Sequence, residues 1–359
     1  MVGRVSSEGL GNPPWEAPAR PPRSTLPSKS DIVIVGAGLT GLSAAVALSG
    51  RREVVVLEEA FGSGATSRSG GVVLGGTLGG AAPAFAGCEL ALRDWIGVHG
   101  VDCGLVWAGC LELVRDESRA PHPIDWQDGG TVRLSARVEG GVVDPARLLG
   151  GLLSVALRAG VRVVDEIAVH AIEQGGGEVR LATNRGTVVA RRLVMATDAM
   201  LASQASEPAD PWSERGVTVA MQTLPLGNGA LDALGLRPDE AFYTDDLPLL
   251  WGRVMPDRSL LVGREFLSGV DGDPHKLAAA ISAAGVRLVE RARGLHPASA
   301  DVALKRVWGG PIAWTKEAIP LVCDDPALAG VTWAGGYGGH GIAQAFRVGR
   351  LVAERLLDA

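Results

Sequence analysis

One stretch near the start of the chain, DIVIVGAGLTGLSAAVALSGRREVVVLEE (residues 31 to 59), constrains the fold more than any other. Asp31–Val35 is an apolar run with no polar face, as expected of a strand covered on both sides in a parallel sheet. Gly36, Gly38 and Gly41 follow with G-x-G-x-x-G spacing, then a helical pattern of small residues over Leu39–Leu48, a stop at Gly50 and a second β-branched run over Glu53–Leu57. Strand, helix and strand so close together make a right-handed βαβ crossover, so a parallel sheet begins here. In such a turn the first glycine makes the bend, the second lets a pyrophosphate approach the backbone, and the third lets helix and strand pack. The helix N-terminus then offers its free N–H groups to the anion. Glu58 lies 22 residues after Gly36 (58 − 36), at the end of the second strand, where a carboxylate can accept both ribose hydroxyls. The expected ligand is an adenine dinucleotide without a 2′-phosphate.

That turn alone does not separate FAD from NAD. Two further glycine-rich segments do more, Phe61–Gly80 just after the ribose carboxylate and GGYGGHG at residues 335 to 341. Glycine brings backbone close to a ligand at low steric cost, so three such segments far apart in sequence suggest one elongated ligand gripped from several places, which fits FAD.

The remaining chain reads as a mixed fold. Its 359 residues suggest two units or one elaborated unit. A proline-rich arm over residues 1–30 is expected to lie extended on the surface, outside the core. Helices are expected at Cys88–His99, from Asp144 with Pro145 at its first position, over 275–292, and at the C-terminus. A glycine-turned meander ends in a buried strand at Leu193–Ala196, and 217–265 reads as strands with a hairpin at RVMPDRSLLVGRE. The fold class is α/β with an α+β substrate part: a Rossmann-like FAD-binding domain (31–80, 141–215 and 305–359) interleaved with an antiparallel-sheet substrate domain (81–140 and 216–304).

Apolar residues at 47% and charged residues at 21% are the balance of a globular chain. A net charge of -6 without a clustered basic face argues against nucleic acid. No apolar run approaches the roughly 18 residues that span a bilayer, so a soluble, cytoplasmic protein with no membrane partner is expected. Cys88, Cys103, Cys110 and Cys323 show no metal spacing and read as buried thiols, and the six histidines lack HxxxH spacing, so no metal is expected.

In order along the chain stand VIVGAGLTGLSAA, GSGATSRSGG, VDPARLLGGL, LVMATDA, MPDRSLLVGRE, WGG and WAGGYGGHGIAQAFRVGRLVAE. Over residues 31–355 the sequence resembles the FAD-dependent amino-acid and amine oxidase family that includes glycine oxidase, sarcosine oxidase and D-amino-acid oxidase, and is most similar to its gamma-glutamylputrescine oxidase-like branch. The resemblance implies that Gly36, Gly38, Leu39, Thr40 and Gly41 hold the pyrophosphate and Glu58, with Glu59 beside it, the ribose. It further implies that Ser67, Arg68, Ser69, Gly70 and Gly71 lie along the flavin, that Val169 offers backbone groups to adenine, and that Ala196 and Thr197 close that pocket. Gly338, Gly339, His340 and Gly341 would point N–H groups at the flavin edge where negative charge accumulates on reduction. The branch usually has Arg-Asn-Gly-Gly-Gln where this chain has Arg68-Ser69-Gly70-Gly71-Val72. Sarcosine oxidases tether the flavin through a cysteine at the place of Gly310, and the tethering histidine used elsewhere is also missing from the flavin loop, so non-covalent FAD is expected.

By the same resemblance, the reaction is hydride transfer to the flavin from a carbon next to an amine nitrogen of a small amine or amino acid, with oxygen as reoxidant and hydrogen peroxide as product. Tyr243, Trp251, Arg253 and Arg264 come from the substrate-domain stretch that faces the flavin, and Tyr337 and His340 flank its edge. Either arginine could clamp a substrate carboxylate, or pair structurally; the aromatics could instead be core. A flavin dehydrogenase using another acceptor, and a flavin-binding subunit of a larger complex, are the competing readings.

Overall fold

The computed structural model describes residues 8–80, 82–114, 133–199, 211–244, 249–268 and 273–358. The opening unit is β1 (Lys29–Val35), α1 (Leu39–Leu48) and β2 (Val54–Leu57), with the two strands parallel. After it come α2 (Ala65–Arg68), β3 (Val72–Leu74), α3 (Cys88–His99), β4 (Cys110–Val114), β5 (Arg133–Val138) and β6 (Gly140–Val142). Then α4 (Pro145–Arg158) starts at Asp144, whose carboxylate accepts the Ala146 and Arg147 N–H groups, with Pro145 at the position that has no N–H to satisfy. Next are β7 (Arg162–Val164), β8 (Val169–Gly175), β9 (Glu178–Thr183) and β10 (Gly186–Met195). The second half holds β11 (Glu214–Thr223), α5 (Asn228–Ala233), β12 (Ala241–Thr244), β13 (Trp251–Val254), β14 (Leu260–Ser268) and α6 (Pro274–Arg293). It closes with β15 (Leu304–Trp314), β16 (Leu321–Asp324), β17 (Val331–Gly335) and α7 (Gly341–Asp358).

The first sheet runs β16-β17-β10-β1-β2-β7, and β9 and β8 add antiparallel to the first half of β10. The last strand of the meander and the buried strand expected after it are therefore one continuous strand, β10, whose residues 189–195 pair in parallel with β1. One face of this sheet is covered by α1, α4 and α7, and the other by the β8–β9 hairpin. Gly349 lets α7 touch α1 backbone to backbone, since a Cβ there would lie 2.5 Å from the Thr40 carbonyl oxygen. The C-terminal helix thus braces the first turn of the helix that follows the glycine motif.

The second sheet runs β15-β11-β14-β13-β12-β4-β5, antiparallel except at β12–β4, with α6 packed on its apolar face. Pairing with β11 assigns residues 304–314 to this sheet, whereas the sequence divides the chain at 304/305.

The N-terminal arm is extended as expected, but its exclusion from the core is wrong. Leu10 is completely buried among Ile281, Val217 and their neighbours beneath the second sheet. An extended segment has no internal hydrogen bonds, so its polar groups must find partners elsewhere. The Leu10 carbonyl accepts from Gly309 N (2.7 Å), the Gly11 carbonyl from Arg68 Nη1 (2.8 Å), and the Pro13 carbonyl from Arg306 Nη1 (3.3 Å). Gly9 and Gly11 have φ of +82° and +67°, and a Cβ at either would collide with backbone carbonyl oxygens, of Pro274 at 2.3 Å and of Val307 at 2.7 Å. The arm is a strap across the second sheet.

Candidate functional site

The glycine motif folds as a tight cradle. Gly36 has φ +104° and a Cβ on it would lie 2.6 Å from the Ala196 carbonyl oxygen; a Cβ on Gly41 would lie 1.9 Å from the Gly36 carbonyl oxygen. Gly38 caps α1 with no side-chain hydrogen bond of its own, and the first N–H of the helix, of Leu39, donates weakly to Thr66 Oγ1 (3.3 Å) from α2. Glu58 accepts from Ala37 N (2.7 Å) and Ala60 N (2.9 Å), which fixes its carboxylate at the end of β2 with lone pairs to spare. Burial raises its pKa and the two backbone donors oppose the rise. Glu59 is exposed at the rim of the same cavity. Val169, at the start of β8, and Ala196 and Thr197, at the end of β10, face it too; the Thr197 hydroxyl is buried without a partner.

The glycine-rich loop after β2 forms the next wall. Ser67 is buried and its hydroxyl has no partner, and Gly38, Ser67 and Ser69 share one cavity lining. Arg68 turns away from solvent to bond the carbonyls of Ser63, Gly11 and Gly309, and its own carbonyl accepts from Trp308 Nε1 (2.9 Å). Trp15 of the strap donates to the Ser69 carbonyl (2.9 Å). Trp251 lies edge-on between Gly70 and Gly263; a Cβ on either would fall 2.1 Å or 2.2 Å from its ring. At Gly310 a Cβ would fit, its nearest neighbour 3.5 Å away on Arg68.

Arg253 departs from the expected clamp. It is 3% exposed, does not line the cavity, and its Nη1 donates to the Val143 carbonyl (2.7 Å) with the Gly70 and Gly71 carbonyls at 3.4 Å. Its guanidinium lies 5.5 Å from the Trp15 ring centroid and 3.7 Å from Asp239. Burial lowers its pKa to about 10, so it stays charged. These carbonyls occupy Nη1 alone, and the buried Nε has no hydrogen-bond partner among the described residues; what keeps this arginine from a substrate is its place behind the flavin loop, outside the cavity lining.

At the far end, Tyr337 is buried and its hydroxyl is 2.5 Å from Thr40 Oγ1, which ties the C-terminal segment to the start of α1. Burial holds its pKa well above the ordinary value, so the hydroxyl keeps its proton. Of the four amides expected to face the ligand edge, Gly338 N donates to the Ala313 carbonyl and His340 N to the Tyr337 carbonyl (both 3.0 Å). Gly339 and Gly341 have no acceptor among the described residues, so these two N–H groups remain for a ligand. Asp198 Oδ1 accepts from Gly336 N (2.7 Å) and holds the bend that precedes them.

These walls enclose one cavity of about 1310 Å³ that runs from Gly36–Thr40 to Gly338–Gly341. That exceeds the usual range for a drug-sized ligand and suits an elongated cofactor with room for a small molecule beside it. The small-molecule end is lined by Tyr243, Trp251, Arg264, Phe266 and Trp314, the last two in edge-to-face contact at 4.6 Å. The Tyr243 hydroxyl donates to Glu112 Oε2 (2.6 Å). Arg264 is half-buried and has no ion-pair partner or hydrogen bond among the described residues. Burial, then the nearby Arg291, lower its pKa. His340 Nδ1 is buried without a partner; burial lowers its pKa, and Arg264 adds to the lowering, so a neutral imidazole is favoured. From the sequence Trp314 is expected to be a packing residue near the pocket, whereas Trp15, Thr66, Asp198 and Phe266 escape a reading of the sequence, because what marks each is a contact with residues remote in the chain.

None of the four cysteines lines the cavity; burial pushes Cys88, Cys103 and Cys110 up to about 11, 11 and 12. Among the described residues no cluster could hold a metal ion, and no helix is long and apolar enough to cross a membrane.

The family described as DAO, FAD dependent oxidoreductase, matches residues 31–355. A probable oxidoreductase OrdL of Rhizobium meliloti (strain 1021) is 28% identical over 95% of this chain and 86% of its own length. Among solved structures, glycine oxidase from Geobacillus kaustophilus superposes with a TM-score of 0.71 at 20% identity, covering 92% of this chain and 94% of that one. L-proline dehydrogenase from P. horikoshii gives a TM-score of 0.71 at 20% identity over 93% and 94%.

Proposed function

The chain belongs to the DAO family of FAD-dependent oxidoreductases, and from that premise we propose that it oxidises a C–N bond of a small carboxylate-bearing amine, with oxygen as the electron acceptor and hydrogen peroxide as the product. The observation that carries this reading is the continuous cavity, which begins at the open glycine cradle and ends beside an unpaired arginine.

The residues present fit FAD. The cradle leaves no room for side chains, and Ser67 Oγ, Thr197 Oγ1 and the Gly339 and Gly341 amides are polar groups without partners along the cavity. Gly36, Gly38, Leu39 and Thr40 hold the pyrophosphate, Glu58 the ribose, and Ser67–Gly71 the length of the flavin. FAD is bound without a covalent bond, since no thiol faces the cavity and Gly310 stands where a tether would be. When bound, FAD supplies the hydride acceptor.

The chain's own residues supply position and charge. Arg264 accepts the substrate carboxylate in a bidentate pair and so orients the carbon–hydrogen bond. Phe266, Trp314 and Trp251 exclude water around it. The neutral imidazole of His340, beside a cation, does not compete for that carboxylate.

The test is anaerobic reduction of the purified yellow holoenzyme by a panel of amino acids and amines, followed by admission of air. Arg264→Met should raise KM for carboxylate-bearing substrates about 10- to 100-fold, the worth of a charged hydrogen-bonded pair, with FAD content unchanged. Bleaching by no amine would refute the reading. Reoxidation only by an added acceptor, and not by oxygen, would make the protein a dehydrogenase.

A further inference from the structure

Arg264 is not the only charged group that faces the cavity without an ion-pair partner among the described residues. Glu89, in the first turn of α3, is nine-tenths buried and lines the same space. A carboxylate so far from water ordinarily has an ion-pair or hydrogen-bond partner. Among the described residues Glu89 has no cation within ion-pair distance, and its Oε2 is fully buried with no donor on it. The helix end favours its charge, but no N–H of that turn donates to it. The Cys88 thiol beside it makes a side-chain hydrogen bond with the carboxylate; burial, together with the carboxylate's field and this bond, pushes the thiol up to about 11. That neighbour is a neutral donor and not a counter-ion, and Oε2 stays open.

The carboxylate closes over a bend that is bare of side chains. A Cβ on Gly75 would lie 2.2 Å from Glu89 Oε2. The next carbonyl, of Gly76, accepts from Gln344 Nε2, and Gln344 is fully buried with its own Oε1 unpartnered. Two oxygen acceptors therefore flank residues 75–76 with nothing to accept. Two residues on, Leu78 packs against Gly338, whose Cβ would lie 3.5 Å from Leu78 Cδ1, so the bend sits at the small-molecule end of the cavity.

Of the two, Glu89 lines the cavity, and an ammonium group, which has donors and no acceptor, is its natural complement. A buried carboxylate holds a bound amine in its protonated form, whereas the nitrogen that loses a hydride from its neighbouring carbon must be neutral. The ammonium that Glu89 takes is thus not the one that reacts. We propose that Glu89 is the receptor for a second, non-reacting cationic nitrogen of the substrate. The substrate class is then a diamino compound whose carboxylate meets Arg264 and whose distal ammonium meets Glu89. This inference rests on the amine-oxidising reading above.

The experiment compares L- and D-lysine with norleucine, and ornithine with norvaline, as reductants of the flavin in the wild-type holoenzyme and in Glu89→Gln. The charged member of a pair should have at least a tenfold lower KM in the wild type, and the ratio should collapse at least tenfold in the variant. A ratio near one in the wild type, or one that the substitution leaves standing, overturns the proposal. If no amine reduces the flavin, the oxidase reading fails, and titration of the holoenzyme with 1,5-diaminopentane decides the receptor by itself. Binding that the wild type shows and Glu89→Gln loses sustains it, and absence of binding in the wild type overturns it. Thermal melting of the ligand-free proteins checks folding, and the variant should melt close to the wild type, since the carboxamide keeps the shape of the side chain and an oxygen for the Cys88 thiol.

Discussion

Arg253→Met separates a structural arginine from a substrate clamp. The substitution keeps length and apolar stem but removes the donor that reaches the Val143 carbonyl at 2.7 Å and the two flavin-loop carbonyls at 3.4 Å. A hydrogen bond from a charged donor contributes about 1.5–3 kcal/mol, and a desolvated cation–π contact of the kind made with Trp15 about 1–2 kcal/mol. The two together come to about 3–5 kcal/mol, in line with other broken buried charge networks. An unfolding entropy of about 2.1 cal/mol/K per residue over 359 residues is about 0.75 kcal/mol/K, so the melting temperature should fall by about 4–7 °C. Because the lost contacts hold Gly70 and Gly71 in place, FAD content on isolation should fall as well. The measurements are thermal melts of apo and holo forms and the ratio of flavin to protein absorbance. Arg253→Lys, which keeps one point donor and the charge, should lie between the two. A variant that melts within 1 °C of the wild type, retains its flavin, and shows a raised KM only for carboxylate-bearing substrates would refute this account and restore Arg253 to the substrate.

Two further substitutions probe the cradle and its electrostatics. Gly41→Ala puts a methyl group 1.9 Å from the Gly36 carbonyl oxygen and should lower FAD content at least tenfold, whereas Gly50→Ala, where a Cβ meets nothing within 4 Å, should leave it unchanged; equal flavin in both proteins would disprove the cradle. Asp198 is pushed up to about 6 by burial from an ordinary 3.8, so the folded chain holds its proton more tightly than the unfolded chain. This contribution to stability is present in full below about pH 4 and is lost as pH rises toward 6. Asp198→Asn should therefore gain stability relative to the wild type as pH rises from 4 to 7, read from apo melts; a gain that instead grew toward low pH would reverse the assignment.

What the sequence disclosed is what local chemistry determines. α3 spans Cys88–His99 and α1 Leu39–Leu48 as the periodicity predicts, because small residues, an apolar stripe and a terminal glycine act within a few positions of one another. The hairpin of β13 and β14 was legible for the same reason. The failures share a different cause. Leu10 is one apolar side chain between two glycines in a proline-rich segment, and only the closure of α6 against the second sheet makes it core. Arg253 looks like a free guanidinium until residues 70, 71 and 143 arrive to claim it. Tyr337 lines the cavity, but that its hydroxyl meets Thr40, 297 residues away at the turn that opens the chain's first helix, is likewise invisible in the sequence. Each is a polar or apolar group satisfied by a remote segment, and a sequence shows the group without showing who satisfies it. The converse also holds, and it singles out Arg264 and Glu89. After every remote segment has closed around the cavity, Arg264 has no partner among the described residues and Glu89 Oε2 has no donor, and these are charged groups along the cavity that a ligand is left to complete.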